Sequence, residues 1–220
     1  MENKVAISTL PFNFEELRIK SKLLKDSGTD FLHCDIMDGK FVENKTFMPD
    51  KLENLATASE LPLDVHLMVV EPAQYFKYCK KTHSISIHCE VFDDLNECRN
   101  NIELIKNMGI KAGVAIDLNT PAEAIVPLLH IVDLVLVMSV KAGAGGQKFD
   151  ASALEKIKLY HKIKKEKSLN FEIEVDGGIN ADNAQKCIQA GADILVSGSY
   201  VAKSTNADVA IDSLKYKIVK

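Results

Sequence analysis

Short apolar runs rich in β-branched residues alternate along this chain with longer stretches whose apolar positions recur at helical spacing. The short runs predict strands at Val5–Ser8, Phe31–Asp35, Leu63–Met68, Ser84–His88, Ala112–Ile116, Leu134–Met138, Glu172–Val175 and Ile194–Ser197. Most are apolar throughout and bounded by turn or charged residues, as strands buried on both faces are. The longer stretches predict helices near 13–27, 49–58, 72–81, 93–108, 121–129, 151–167, 180–190 and 206–217. Thr120-Pro121 reads as an N-cap with proline at the first helical position, and Pro72 and Asn180 mark two further starts. Gly28, Gly109 and Gly191 close three helices. Eight strands alternating with eight helices is the pattern of parallel β/α units. The count of eight favours a closed α/β architecture, the (β/α)8 TIM barrel, over an open doubly wound sheet.

The 220 residues contain no linker, repeat or low-complexity segment, so one barrel domain over residues 1–220 is expected. Hydrophobic residues at 46% and charged residues at 26% are the balance of a globular protein and exclude a disordered one. Lys plus Arg number 27 and Asp plus Glu 31, a net charge of −4, so no global attraction to nucleic acid or anionic membrane is expected. No apolar run reaches membrane-spanning length. The N-terminal MENKVAISTLPFNF has no signal-peptide pattern. The odd count of five cysteines, without CxxC, predicts reduced thiols and a cytoplasmic location.

In a barrel of this kind the chemistry sits at the C-terminal ends of the strands. Ser8 ends strand one, and His33 and Asp35 alternate onto one side at the end of strand two. His66 lies near the end of strand three, and Asp176 follows strand seven. A lone histidine there is ordinarily a core residue, and a lone aspartate a turn or cap. Two of each on one mouth form a set that suits one divalent metal ion: zinc, iron(II), manganese or cobalt. Glycines cluster after three successive strands, as Gly143-Ala144-Gly145-Gly146, Gly177-Gly178 and Gly198-Ser199. Such loops turn backbone N–H groups toward an anion, and Tyr200-Val201-Ala202 offers the short helix that accompanies a phosphate site in this fold. Met37, Met68 and Met138 fall at or just past strand ends, as core filler or as an apolar wall over the mouth. His88 and Glu90 read as a supporting polar pair, and Asp38 as a turn residue.

Phe31-Leu-His-Cys-Asp-Ile-Met-Asp-Gly39, Leu63-Asp-Val-His-Leu-Met68, Met138-Ser-Val140 with the Gly143–Gln147 loop, and Glu174-Val-Asp-Gly-Gly178 together resemble the ribulose-phosphate 3-epimerase family, from about Val5 to about Ser199. The resemblance implies a ribulose-phosphate-binding barrel that epimerises C3 of a ketose phosphate, D-ribulose 5-phosphate to D-xylulose 5-phosphate, within the pentose phosphate pathway. It implies a metal held by His33, Asp35, His66 and Asp176, with Asp35 and Asp176 as the acid–base pair. Ser8 and His66 would touch substrate. Gly143, Ala144, Gly145, Gly146, Gly177, Gly178, Gly198 and Ser199 would hold its phosphate end. A homo-oligomer is implied as well. The chain departs from the family's usual residues at Ile7, Glu43, Met48, Asp117 and Lys141–Ala144. Two further readings stand beside this one: a 3-epimerase of another ketose phosphate, such as D-allulose 6-phosphate, and a non-enzymatic phosphate-binding paralogue. A decarboxylase or lyase barrel is disfavoured, because His66 and Val69 replace the Lys and second Asp of its Asp-x-Lys-x-x-Asp motif.

Overall fold

The computed structural model describes residues 2–46 and 50–216. Eight parallel strands form a closed barrel: β1 (Lys4–Ser8), β2 (Phe31–Met37), β3 (Leu63–Met68), β4 (Ser84–His88), β5 (Lys111–Ile116), β6 (Leu134–Met138), β7 (Glu172–Asp176) and β8 (Ile194–Ser197). β8 returns to pair with β1 from Lys4↔Ile194 to Ile7↔Ser197, which closes the ring in chain order. Around it run α1 (Phe14–Asp26), α2 (Asp50–Ala58), α3 (Leu95–Asn107), α4 (Ala153–Glu166), α5 (Ala181–Ala190), α6 (Ser199–Lys203) and α7 (Ala207–Asp212).

Two predicted helices differ in kind. The connections after β3 and β5 are 3-10 helices, Pro72–Tyr78 and Ala122–Leu128. Each is a 7-residue connector, the kind of short piece in which 3-10 turns are used. The first is rich in aromatic residues and the second contains Pro127, which has no N–H for an i−4 bond. Pro121 itself takes the cap position, with φ −57° and ψ 138°, so Thr120 does not cap the segment as expected. The predicted last helix is shorter: α7 ends at Asp212, and residue 217 lies outside the described residues, as do residue 49 of the second predicted helix and Met48. Asn180 is the expected cap of α5, closed by a reciprocal bond with Asn183.

The strands are buried except at Lys4, Lys111, Glu172 and Asp176, which are half-buried at strand ends, so the period-2 alternation shows in chemistry rather than exposure. On β2, Leu32, Cys34 and Ile36 face outward into the layer between barrel and helices, with Leu17 of α1 and Leu52 and Leu55 of α2. Phe31, His33, Asp35 and Met37 alternate with them and face the interior. The outer layer is apolar and holds the helices, leaving the inner column free to carry polar groups.

An aspartate just before three even-numbered strands clips the preceding strand. Asp30 accepts from Val5 N at 2.8 Å, Asp133 from Ala112 N at 3.0 Å and Asp193 from Ile173 N at 2.9 Å. Lys164 of α4 adds an ion pair to Asp193 at 2.8 Å. Asp193→Ala strands the Ile173 N–H and is expected to lower unfolding free energy by about 1–3 kcal/mol in urea denaturation. A change below a few tenths of that would show that water replaces the clip.

Candidate active site

The C-terminal mouth of the barrel opens into a cavity of about 440 Å³. Ser8, Asp35 and Asp176 reach its floor from β1, β2 and β7. Gly143–Gly146, Gly177, Gly178, Gly198 and Ser199 line it, and so does Lys203 at the end of α6. Met37, Met68 and Met138 form its apolar wall, packed with Leu136, Val140 and Ala142. His33 and His66 lie just below the floor, both fully buried. The structure therefore gathers every candidate residue on one mouth.

The ligand atoms of His33, Asp35, His66 and Asp176 all lie within 4.8 Å of one another. Nδ1 of His33 is 2.5 Å from Asp64 Oδ2, so its ring proton is directed at that carboxylate. Nε2 is buried without a hydrogen-bond partner, 3.5 Å from Asp35 Oδ1 and 4.0 Å from Asp176 Oδ2. A ring nitrogen held toward two carboxylates, with the opposite nitrogen fixed by a third, is how histidine is presented to a cation. The donor set of two imidazoles and two carboxylates fits a divalent ion.

The electrostatics favour positive charge at this point. Burial pushes the His33 pKa down, but the Asp35 and Asp64 carboxylates outweigh it and hold it well above its ordinary value. Burial likewise works against Asp35, yet hydrogen bonds and charge from His33 and His66 hold it far below the carboxylate range. Asp176 behaves oppositely, pushed up to about 7 by its apolar surroundings and by Asp35. The two carboxyls are thus pushed in opposite directions, Asp35 toward the ionised form and Asp176 toward the protonated one. Ser8 Oγ donates to Asp35 Oδ2 at 3.0 Å, and His66 Nδ1 lies 3.0 Å from Asp35 Oδ1.

Two residues of this cluster went unnoticed in the sequence. Asp64 lies two positions before His66, and Glu174 two before Asp176, so the strand period places each on the same inward face one layer deeper. Asp64 also accepts from Ser84 Oγ at 2.6 Å. Glu174 is fully buried, 3.6 Å from His33 Nδ1, and is pushed up to about 8 by burial and by Asp64, so it keeps its proton at neutral pH. Reading each strand inward at i and i+2 finds both.

The loops are braced from several sides. Asn44 Nδ2 donates to Gly143 O at 2.7 Å, and Asp117 Oδ1 accepts from Ala142 N at 3.0 Å. Lys156 Nζ, on α4, donates to the carbonyls of Asp117, Leu118 and Thr120 at 2.7, 2.7 and 2.6 Å. Lys141 is exposed and does not line the cavity, so its charge is solvated. Asp38 is a turn residue, accepting from the backbone of Lys40, Phe41 and Val70.

Fold and site together define an enzyme barrel, with ionisable groups gathered at the C-terminal strand ends and glycine loops around them. The ribulose-phosphate 3-epimerase family matches residues 4–202. A chloroplastic ribulose-5-phosphate-3-epimerase of Arabidopsis thaliana is 43% identical over 96% of this chain and 75% of its own length. The ribulose-phosphate 3-epimerase of Bacillus subtilis is 40% identical over 96% of this chain and 98% of its own. Among solved structures, phosphoribosyl anthranilate isomerase of Thermococcus kodakaraensis superposes with a TM-score of 0.60 at 17% identity, covering 96% of both chains, which speaks to the fold alone. The chain belongs to the ribulose-phosphate 3-epimerase family and is an isomerase. Among the described residues, no helix is long and apolar enough to cross a membrane, and all five cysteines are free.

Gly178 has φ +64°, and a Cβ there would run into the backbone of Gln147–Phe149. Gly178→Ala is therefore expected to displace the loop after β6 and weaken inorganic phosphate binding at least tenfold in isothermal titration. Unchanged phosphate affinity would remove this loop from the anion site.

Proposed function

We propose that this protein epimerises C3 of a phosphorylated ketose, D-ribulose 5-phosphate to D-xylulose 5-phosphate, by two-carboxylate acid–base catalysis. The observation that carries the reading is the Asp35–Asp176 pair: two carboxyls from different strands on one cavity floor, pushed in opposite directions by their surroundings. Inverting a carbon centre requires a proton to leave one face and another to arrive on the opposite face, which a single base does not easily span. Asp35 takes the C3 proton. The electron pair moves into the C2 carbonyl to form an enediolate, and Asp176 delivers its proton to the other face of C3. The roles exchange in the reverse direction; before another forward turnover Asp35 gives its proton to solvent and Asp176 takes one back, which is the route by which solvent deuterium reaches C3.

His33, Asp35, His66 and Asp176 would hold one divalent ion, and its chemistry there is that of a Lewis acid, stabilising negative charge on the intermediate's oxygens. Ser8 hydrogen-bonds Asp35 and reaches the cavity, so it orients both the base and the sugar. The phosphate binds among the glycines of the loops after β6, β7 and β8, with Lys203 alongside. Anchoring that end fixes C3 between the two carboxyls. The methionine wall keeps water from the enediolate.

The test is NMR of the purified protein with D-ribulose 5-phosphate in deuterated water, with and without a chelator. Deuterium should enter at C3 as xylulose 5-phosphate appears, and chelation should stop both. Asp35→Asn and Asp176→Asn should each lower kcat by about 10²–10⁴-fold with the far-UV spectrum unchanged. Exchange confined to a hexulose phosphate would transfer the reaction to that substrate. No exchange with any ketose phosphate in metal-loaded protein would leave only a phosphate-binding role.

A further inference from the structure

His66 has two neighbours, one on each ring nitrogen. Nδ1 faces Asp35 Oδ1 at 3.0 Å, on the side of the proposed cation. Nε2 faces Nε2 of His88 at 2.9 Å, with the two rings stacked at 5.0 Å and both fully buried. His88 Nδ1 lies 2.8 Å from Glu90 Oε2. The other oxygen, Oε1, accepts from the backbone N–H of Asp117 at 2.7 Å. The four groups form one hydrogen-bonded line from the candidate metal cluster to the loop after β5.

The direction of that line decides what His66 offers. A single proton lies between the two facing Nε2 atoms. If His66 carries it, Nδ1 of a neutral His66 is bare and can bind a cation; if His88 carries it, the His66 proton sits on Nδ1 and blocks it. Asp35 Oδ1, an acceptor, draws the His66 proton toward Nδ1 until a cation takes its place, and Glu90 draws the line the other way. Burial raises its pKa, but bonds from His88, Thr120 and Asp117 outweigh burial and hold it at about 2, so both oxygens are acceptors. His88 must then keep its proton on Nδ1, toward Glu90, and accept through Nε2.

We infer that His88 and Glu90 are positioning residues, acting in series to hold the His66 proton on Nε2 so that Nδ1 stays free for the metal. The inference rests on the metal site proposed above. It separates the two histidines of that site. His33 is oriented directly by a carboxylate and presents Nε2, whereas His66 is oriented through a second imidazole and presents Nδ1. Lys156, bonded to three carbonyls of the Asp117–Thr120 turn, keeps the Asp117 N–H aimed at Glu90 and so fixes the far end of the line.

Two near-isosteric changes test direction against shape. In Glu90→Gln the side chain has one acceptor for two donors. The Asp117 backbone N–H cannot reverse but His88 can, so the amide N–H2 turns to His88 and the line runs backwards. In His88→Gln the amide donates to Glu90 and its oxygen accepts from His66, so the direction is kept. Competition of Zn2+ between the folded protein and a chromophoric chelator should show affinity about 10–100-fold weaker in Glu90→Gln and near native in His88→Gln. His88→Leu, which removes the acceptor, should match Glu90→Gln and supplies the comparison if that variant does not fold. Long-range 1H–15N spectra of histidine-labelled protein should place the His66 proton on Nε2 in the native Zn2+ complex and on Nδ1 in Glu90→Gln before Zn2+ is added. Native Zn2+ affinity in Glu90→Gln, or a larger loss in His88→Gln than in Glu90→Gln, would overturn the relay alone. A native protein that binds no Zn2+ would overturn the relay together with the metal site.

Discussion

Carboxylates inside a closed barrel are the constraint on which the site depends. Asp35, Asp64, Glu174 and Asp176 face one interior with little water, and burying unpaired negative charge is costly. The chain meets this cost in three ways. Imidazoles are placed between the acids, at His33 and His66. Glu174 keeps its proton. The remaining imbalance is gathered where His33 Nε2 has no partner, at the top of the column and against the cavity. The chemistry proposed for this protein and the electrostatic cost of its interior have one origin.

That column is possible because the other face of every strand is apolar. The outward residues of the barrel and the inward residues of the helices make one continuous layer, the largest of the hydrophobic clusters, with smaller ones at the two ends of the barrel interior. The candidate ligand groups on strands inherit the stiffness of the hydrogen-bonded barrel, whereas the proposed phosphate end is built from loops. Those loops are braced at Asn44, Asp117 and Lys156. Asp117, where the family commonly has asparagine, uses one carboxylate oxygen to hold both Leu118 N and Ala142 N. It does not line the cavity.

Much of this was legible in linear order. The strand positions followed from apolar runs with turn residues at both ends, and His33, Asp35, His66 and Asp176 stood out because each is a polar residue at the end of such a run. Asp64 and Glu174 did not stand out, since an acid inside an apolar strand looks like a boundary until its neighbours are known. The helical stretches at 72–81 and 121–129 had the right spacing, but spacing alone does not distinguish a 3-10 turn from an α-helix, and the second holds Pro127 inside it.

By itself, the sequence determined which residues lie in strands, which side of each strand they share, and hence which polar groups can reach a common mouth. These are local consequences of period and side-chain chemistry. Only the tertiary structure decided which ring nitrogen of each histidine faces the cluster, which carboxyl keeps its proton, and that Glu90 speaks to His66 through His88. Those outcomes depend on distances between residues on different strands, and on the low polarity that closing the barrel creates around them. No pattern within one segment carries either.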